Sequence, residues 1–354
     1  MNYQKTFYYL DGKTIDYTNE YNPQTGKLTK QTLYRTDGKT KKSVVEYNPD
    51  GKLTKKTYYN SDGKTINYIT EYNPQTEELI KHTKYDDDGK TIDYTNEYNP
   101  QTGKLTKQTL YRTDGKTKKS VVEYSPDGKL TKKTYYNSDG KTIYVIQEYN
   151  PETEEVIKQT NYNSDGKLTK QTQYYSDGKT IEFITEYDPE TEEPIKETQY
   201  QEDGKTIDYI TEYNPQTGNK TKWNEYYSDG ETILSITEYH PETEEPTKET
   251  YYNSDGKLTT EIFYLGDGET IDYIRNYNPQ ISKLIKFTNY REDGETIDYT
   301  TEFKYHPKTN KLIKTTGFSF DRKRIAFIYK HHPNGKLFKK TYYNSDGTIN
   351  KKYK

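Results

Sequence analysis

Leu53-Thr54-Lys55-Lys56-Thr57-Tyr58-Tyr59-Asn60-Ser61-Asp62-Gly63-Lys64-Thr65-Ile66-Asn67-Tyr68-Ile69-Thr70-Glu71-Tyr72-Asn73-Pro74-Gln75-Thr76 is the stretch that decides the fold. It holds two runs rich in Thr, Tyr and Ile, each closed by residues that turn the chain. Such residues suit a pleated surface, whereas Ala, the strongest helix former, occurs only at Ala326. Period-two alternation predicts Ile66, Tyr68, Thr70 and Tyr72 on one face of a strand, with Thr65, Asn67, Ile69 and Glu71 on the other. The partner run groups Leu53, Thr57 and Tyr59. Asp62-Gly63 reads as a two-residue type I′ hairpin turn with positive φ at both central residues. The second turn signal is Asn22-Pro23-Gln24-Thr25-Gly26 in its fullest form. It reads as a type I turn at Pro23 with Gly26 in the left-handed region after it. Glu77, Glu154 and Glu192 replace that glycine in other copies, which weakens the expectation of the same loop there.

The pattern recurs along the chain. Asp-Gly pairs begin at 11, 37, 62, 88, 114, 139 and 165, a spacing of 25 or 26 residues, with the Asn-Pro signal roughly midway. Asp11–Ile66 and Asp88–Ile143 are the same 56-residue sequence except for Asn48 against Ser125. A fixed period of this kind marks a repeat array of supersecondary units. Asp165 to Asp177 and Asp255 to Asp267 are each 12 apart, which predicts one extra strand at each place. A meander absorbs an odd strand by moving its turn types to the opposite edge; a two-strand solenoid coil would lose its stacking. The expected fold is therefore all-β: an elongated antiparallel β meander, a single-layer twisted sheet of hairpin repeats with about 28 strands. A β-solenoid is the alternative.

Composition limits how such hairpins pack. Hydrophobic residues make up 28% of the chain and 42 Tyr supply much of that, too little aliphatic volume for a two-layer sandwich. Charge separates the chain from a disordered one, because 53 basic residues nearly cancel 56 acidic ones. Tyr rings and Lys stems are expected to cover the sheet, with cross-strand Lys–Glu and Thr–Thr pairs adding roughly 0.2–1 kcal/mol each. Neither a Ser/Gly linker nor a charge block marks an internal boundary. Residues 1–301 read as a tandem hairpin array and 302–354 as divergent repeats acting as a cap, where Asp321-Arg322 replaces Asp-Gly. The basic end, Lys351-Lys352-Tyr353-Lys354, is expected to discourage pairing at the last edge.

Catalytic chemistry is hard to place on this chain. It has no cysteine, hence no disulfide, zinc thiolate or thiol nucleophile. His240 and His306 stand where Asn begins the turn in other repeats, and His331-His332 has no third ligand at a fixed spacing. Asp86-Asp87-Asp88-Gly89 resembles a calcium loop only superficially, since Thr95 falls where a bidentate Glu is required. Carboxylates repeat with the lattice, so no pair stands out for acid–base work. The expectation is a chain that is not an enzyme and takes no cofactor and no metal. Interleaved charge with a net of −3 argues against nucleic acid, and no stretch is apolar enough for membrane insertion. The absence of a signal peptide after Met1 points to the cytoplasm, with secretion requiring that the chain be processed or truncated.

Tyr-Asn-Ser-Asp-Gly-Lys-Thr-Ile (Tyr59–Ile66), followed by Ile-Thr-Glu-Tyr-Asn-Pro-Gln-Thr (Ile69–Thr76), resembles an uncharacterised repeat family of phytoplasma proteins, a domain of unknown function. The resemblance covers almost the whole chain and implies no activity or catalytic residue. The chain is more loosely similar to MORN-type repeats and YwqK-like antitoxins, although their Gly-x-Gly strand pattern is missing. Tyr47–Thr54 resembles the Tyr-Asp (RHS-type) repeats of toxin shells, and Tyr58–Gly63 resembles cell-wall glycan-binding repeats without their Gly-Trp element. The sequence thus leads us to expect a non-enzymatic repeat scaffold presenting an extended surface to a protein partner, as a monomer or with edge-to-edge self-association. The alternative is a carbohydrate-binding module using surface Tyr rows. Either would use Tyr58, Tyr59, Tyr68, Tyr72, Tyr135 and Tyr136, together with the apolar run holding Phe327 and Tyr329. Trp223, the only Trp, reads as drift from the Tyr or Thr usual at its position.

Overall fold

The computed structural model describes residues 3–319 and 324–351. Asp321, Arg322 and the last three residues of the basic end lie outside these. Among the described residues there are 27 β-strands and no α-helix. They fall into two units, Met1–Lys179 and Thr180–Lys354. The first holds β1 (Tyr3–Tyr8) to β14 (Leu168–Tyr174), the second β15 (Ile181–Tyr187) to β27 (Leu337–Tyr342). The expected break at 301/302 falls inside β24 (Ile297–Tyr305).

Within each unit every strand pairs antiparallel with the next, and contacts between elements run only between consecutive strands. Each unit is therefore a single-layer meander, not closed into a barrel. A solenoid would stack each strand on the one two places along, and no such contact is present within the units.

With no second layer, burial comes from within each face. The buried side chains are mostly small and polar: Thr32, Thr57, Thr83, Thr109, Thr134 and Thr160, with Val44, Val45, Val121 and Val122. They lie in mid-strand, overhung by the longer Tyr, Lys and Glu side chains on either side. Thr serves here because its methyl packs on the pleat while the strand remains β-branched.

Both turn types hold their loops with side chains. Asp37 shows the Asp-Gly case: its Oδ1 accepts from the backbone N–H of Lys39 at 2.9 Å and of Thr40 at 2.8 Å. Thr40 Oγ1 donates to its Oδ2. Asn22 does the same in the other loop, accepting from Gln24 N–H at 2.8 Å. The type I′ expectation is corrected. The Gly63 N–H closes on Asn60 at 3.0 Å and the Asn60 N–H on Thr65 at 2.9 Å, and in this turn Gly63 alone has positive φ. The loop is longer than two residues because the Asp side chain folds over it, and Gly takes the left-handed place at its end. That place also requires the absence of a Cβ, since one on Gly89 would collide with the Ile66 nitrogen in the preceding turn.

A second correction concerns faces. In most strands the second residue is skipped in the pairing with the strand before, as between β5 (Leu53–Tyr59) and β6 (Ile66–Tyr72), where Tyr58 opposes Tyr68 and Tyr59 opposes Ile66. Asn67 is the bulged residue, and it bonds Lys84 on the side of Tyr68. Ile66 therefore sits on the face opposite Tyr68, and Leu53, which opposes Tyr47, is separated from Thr57 and Tyr59 in the same way.

Candidate interaction surface

Alternation and pairing give the first unit two chemically distinct faces. One carries Phe7, Tyr17, Leu33, Ser43, Tyr58, Tyr68, Lys84 and Tyr94 in a continuous cross-strand row. Beside it runs a polar row of Asn19, Gln31, Val45, Lys56, Thr70, His82, Asn96 and Gln108. Side-chain amides link across strands, Gln31 to Asn19 at 3.0 Å and Gln108 to Asn96 at 3.0 Å. Lys5, Lys56, Lys84, Lys133 and Lys170 lie on this tyrosine–amide face, and no carboxylate occupies its paired central positions. The opposite face carries Glu20, Lys30, Glu46, Lys55, Glu71, Lys81, Glu97 and Lys107 in strict alternation. Lys30 reaches Glu20 at 3.2 Å and Lys107 reaches Glu97 at 3.5 Å. These pairs are well exposed and contribute little individually.

The residues singled out in sequence divide between the faces. Tyr58 and Tyr68 stack with centroids 4.3 Å apart, and burial raises both hydroxyl pKa values. Tyr72 lies on the same face, with Lys56 Nζ 5.2 Å from its ring centroid. Tyr135 is there too, 6.1 Å from Tyr144. Tyr59 and Tyr136 are on the Glu–Lys face, under Lys41 and Lys118 respectively. Phe327 and Tyr329, in β26 (Ile325–His331), stack at 4.7 Å. The Phe327 ring occupies the space a Cβ on Gly317 would need, which ties it into the sheet.

The second unit breaks the charge pattern. Residues 181–252, the span of β15 to β20 (Pro246–Tyr252), contain nineteen carboxylates and five lysines: a net −14 that leaves +11 for the rest of a chain whose total is −3. The expectation that no charge block exists is thus overturned. On the face of Tyr209, the row through β16 (Pro194–Tyr200), β17 (Ile207–Tyr213), β18 (Lys220–Tyr226) and β19 (Ile233–Tyr239) reads Glu197, Thr211, Trp223, Thr237, then Glu249 in β20. Trp223, Tyr209, Tyr213, Tyr239, Glu197, Thr211 and Lys220 line an open depression of about 430 Å³. The indole and the Tyr209 ring are 6.1 Å apart and inclined at 59°. The Glu197 carboxylate joins no hydrogen bond or ion pair among the described residues. Burial, and after it the Glu197 charge, raises the hydroxyl pKa of Tyr209 and of Tyr213.

Among known proteins, a family of unknown function (DUF2963) matches eight times, over 8–58, 34–84, 59–110, 85–135, 136–171, 174–225, 226–263 and 264–317. The chain belongs to this family. No curated protein is significantly similar in sequence. Solved structures that are similar include TarM of S. aureus, at 14% identity and a TM-score of 0.24 over 33% of this chain and 20% of that one. The TcdB2-TccC3 crystal structure matches at 11% identity and a TM-score of 0.22, over 98% of this chain and 23% of that one. A Tc holotoxin pore of Photorhabdus luminescens matches at 14% and 0.18, over 98% and 22%. This chain spans about a fifth to a quarter of the length of those chains, and at such scores neither fold nor function transfers.

The turn histidines of this chain take the part of capping residues. His240 Nδ1 accepts from Glu242 and Thr243 N–H, each at 3.4 Å, and His306 Nδ1 accepts from Lys308 and Thr309 N–H at 3.3 and 3.2 Å. Both therefore stand in for the turn Asn. Asp88 likewise caps its own turn, bonding Lys90 and Thr91 N–H at 2.8 Å. His82 lies between the rings of Tyr68 and Tyr94, where burial and then Lys84 lower its pKa. Sequence reasoning named Trp223 but not the row that places it between Glu197 and Glu249. A running charge count along the chain, in place of the total, would have exposed residues 181–252.

Proposed function

We propose that this DUF2963 chain is a non-enzymatic repeat scaffold whose open sheet faces present an extended surface to a protein partner. The observation that carries this reading is the single layer. Within each unit no element among the described residues covers either face, so side chains that would fill a core in a sandwich stand against solvent in ordered rows. Aromatic rings and fixed charges at strand spacing suit recognition of another chain, with aromatics supplying contact area and charges supplying register. The measurement is an affinity capture with the whole chain as bait, from bacterial and host lysates at low and high salt. The expected result is a defined protein partner whose retention falls as salt rises.

A second reading, carbohydrate binding, is favoured by the depression around Trp223, where an indole and three Tyr rings converge. It predicts retention of glycoconjugates that high salt does not release. That result would replace the first reading.

A further inference from the structure

In the first unit the sheet supplies its own cations to its tyrosines. Lys56 and Lys133, each the fourth residue of its strand, lie 5.2 and 4.9 Å from the ring centroids of Tyr72 and Tyr149 in the following strands. The same position in β16, β18 and β20 holds Glu197, Trp223 and Glu249. The tyrosines that follow the first two, Tyr213 and Tyr239, remain, but among the described residues no cation lies over either ring. The sheet has thus exchanged a lysine for a carboxylate beside the same kind of ring, and placed an indole between two carboxylates in one cross-strand row: Glu197, whose carboxylate has no hydrogen-bond partner among the described residues, and Glu249, which accepts from the Tyr251 hydroxyl at 2.6 Å. A cation reaching this surface meets both an aromatic face and an unpaired negative charge.

The surroundings carry the same sign. Glu225, on the same face, accepts from Ser235 Oγ at 3.1 Å. Glu190, Glu192, Glu193, Glu242, Glu244 and Glu245 sit in the loops along the adjoining edge. Lys220 is the single base lining the depression. It is exposed at the rim, opposite Tyr213 in the pairing, and its backbone N–H donates to the Glu244 carboxylate at 2.6 Å. A neutral sugar would gain from the rings but has no use for a net charge of −14 over six strands.

We propose that the Trp223 face of β15 to β20 binds a lysine- or arginine-rich extended segment of a partner protein, one cationic side chain seated over the indole and against Glu197. This rests on the reading of the chain as a protein-binding scaffold and names the chemistry of the partner. An extended segment fits because alternate strands offer Glu197 and Glu249 on either side of Trp223, each two strands away at about 4.8 Å per strand.

Trp223 is the only Trp in the chain, so its emission reports this surface alone. The experiment titrates the full chain with an octapeptide of alternating Lys and Gly. The expected result is a saturable change in emission that weakens as salt rises, with affinity reduced about fivefold in Glu197→Gln. Glu190→Gln removes the same charge from a loop tip and is expected to have far less effect; circular dichroism establishes that both variants fold. No emission change overturns the proposal. So does equal weakening by the two variants, which would mean only diffuse attraction to an acidic sheet. A salt-insensitive response to cellotetraose or chitotetraose, not competed by the peptide, overturns it in favour of a sugar site. Failure of the peptide alongside capture of a salt-sensitive protein partner would remove this site and leave the scaffold reading in place.

Discussion

Glu77, Glu154, Glu192 and Glu244 hold φ between 57° and 60°, in a region that side chains with a Cβ enter at a cost of roughly 1–2 kcal/mol. Gly26, Gly103 and Gly218 take the equivalent place in sister loops, with φ of 68° to 76°. The loop survives the substitution because its hydrogen bond is kept: Glu77 N–H donates to Asn73 at 2.7 Å, as Gly26 N–H does to Asn22 at 2.8 Å. The sequence therefore carries strain that a single substitution to glycine relieves. Glu154→Gly is expected to raise stability by about 1 kcal/mol, the relief of the left-handed backbone less the extra freedom of glycine in the unfolded chain. A urea midpoint equal to or below the parent's would refute it. The turn sites themselves were legible from Asn-Pro and Asp-Gly. Their detail was not, because an Asp side chain that folds over its own loop leaves no mark in a residue pattern that also suits a two-residue turn.

Single strands act as switches of face. β20 and β21 (Leu258–Tyr264) follow one another without the Ile-type strand that normally intervenes, and the cross-strand row changes character there. It runs Glu186, Lys196, Glu212, Lys222, Glu238 and Lys248, then Phe263 and Tyr273. The spacing of 12 between Asp255 and Asp267 announced the extra strand. Its exchange of the two faces follows only once the residues are paired. At the junction Glu261 gathers Lys248 at 2.9 Å, Arg275 at 3.7 Å and the Tyr277 hydroxyl at 2.6 Å, with its side chain 12% exposed. Burial alone would raise the Glu261 pKa; hydrogen bonds from Tyr277 and Lys248 and the two positive charges outweigh it and hold the carboxyl below its ordinary range. Glu261→Ala strands those donors and is expected to cost about 2 kcal/mol. Glu71→Ala, in the exposed ladder, is expected to cost less than about 0.5 kcal/mol. Equal losses in denaturant unfolding would show that the junction is one more ladder pair. Strand identity was readable from Thr, Tyr and Ile content, but the skipped second residue was not, since simple alternation contains no signal for a bulge. The surroundings of Trp223 escaped for a related reason: Glu197, Tyr209 and Tyr239, which line the depression with it, lie far from it along the chain.

For the whole molecule the repeated turns and rings are expected to set both limits of pH stability. Asp37 and Asp114 are drawn down to about 2, first by the hydroxyl of the following Thr and then by two backbone amides, and Asp11, Asp62, Asp88, Asp139, Asp203, Asp229, Asp267 and Asp293 are lowered in similar turns. A depressed carboxyl adds stability that is complete above the unfolded value of 3.8 and is lost as pH falls through the folded value. The tyrosines act at the other end. Burial raises Tyr85, Tyr174, Tyr200 and Tyr226, and burial with a neighbouring Glu carries Tyr264 and Tyr277 to about 12. A phenol raised on folding favours the native state fully below its unfolded value of 10.0, and that contribution disappears as pH climbs from there to the folded value. Because the same groups recur from turn to turn and ring to ring, small shifts accumulate in one direction at each limit. Thermal melts followed by circular dichroism are therefore expected to give a broad plateau, with the melting temperature falling between about pH 4 and pH 2 and again above about pH 10. Replacing Asp37 and Asp114 by Asn should flatten the acid limb and leave the alkaline limb in place. A melting temperature unchanged at pH 2 would mean that the turn carboxylates are as free in the native chain as in the unfolded one, and that their hydrogen bonds do not hold the hairpins.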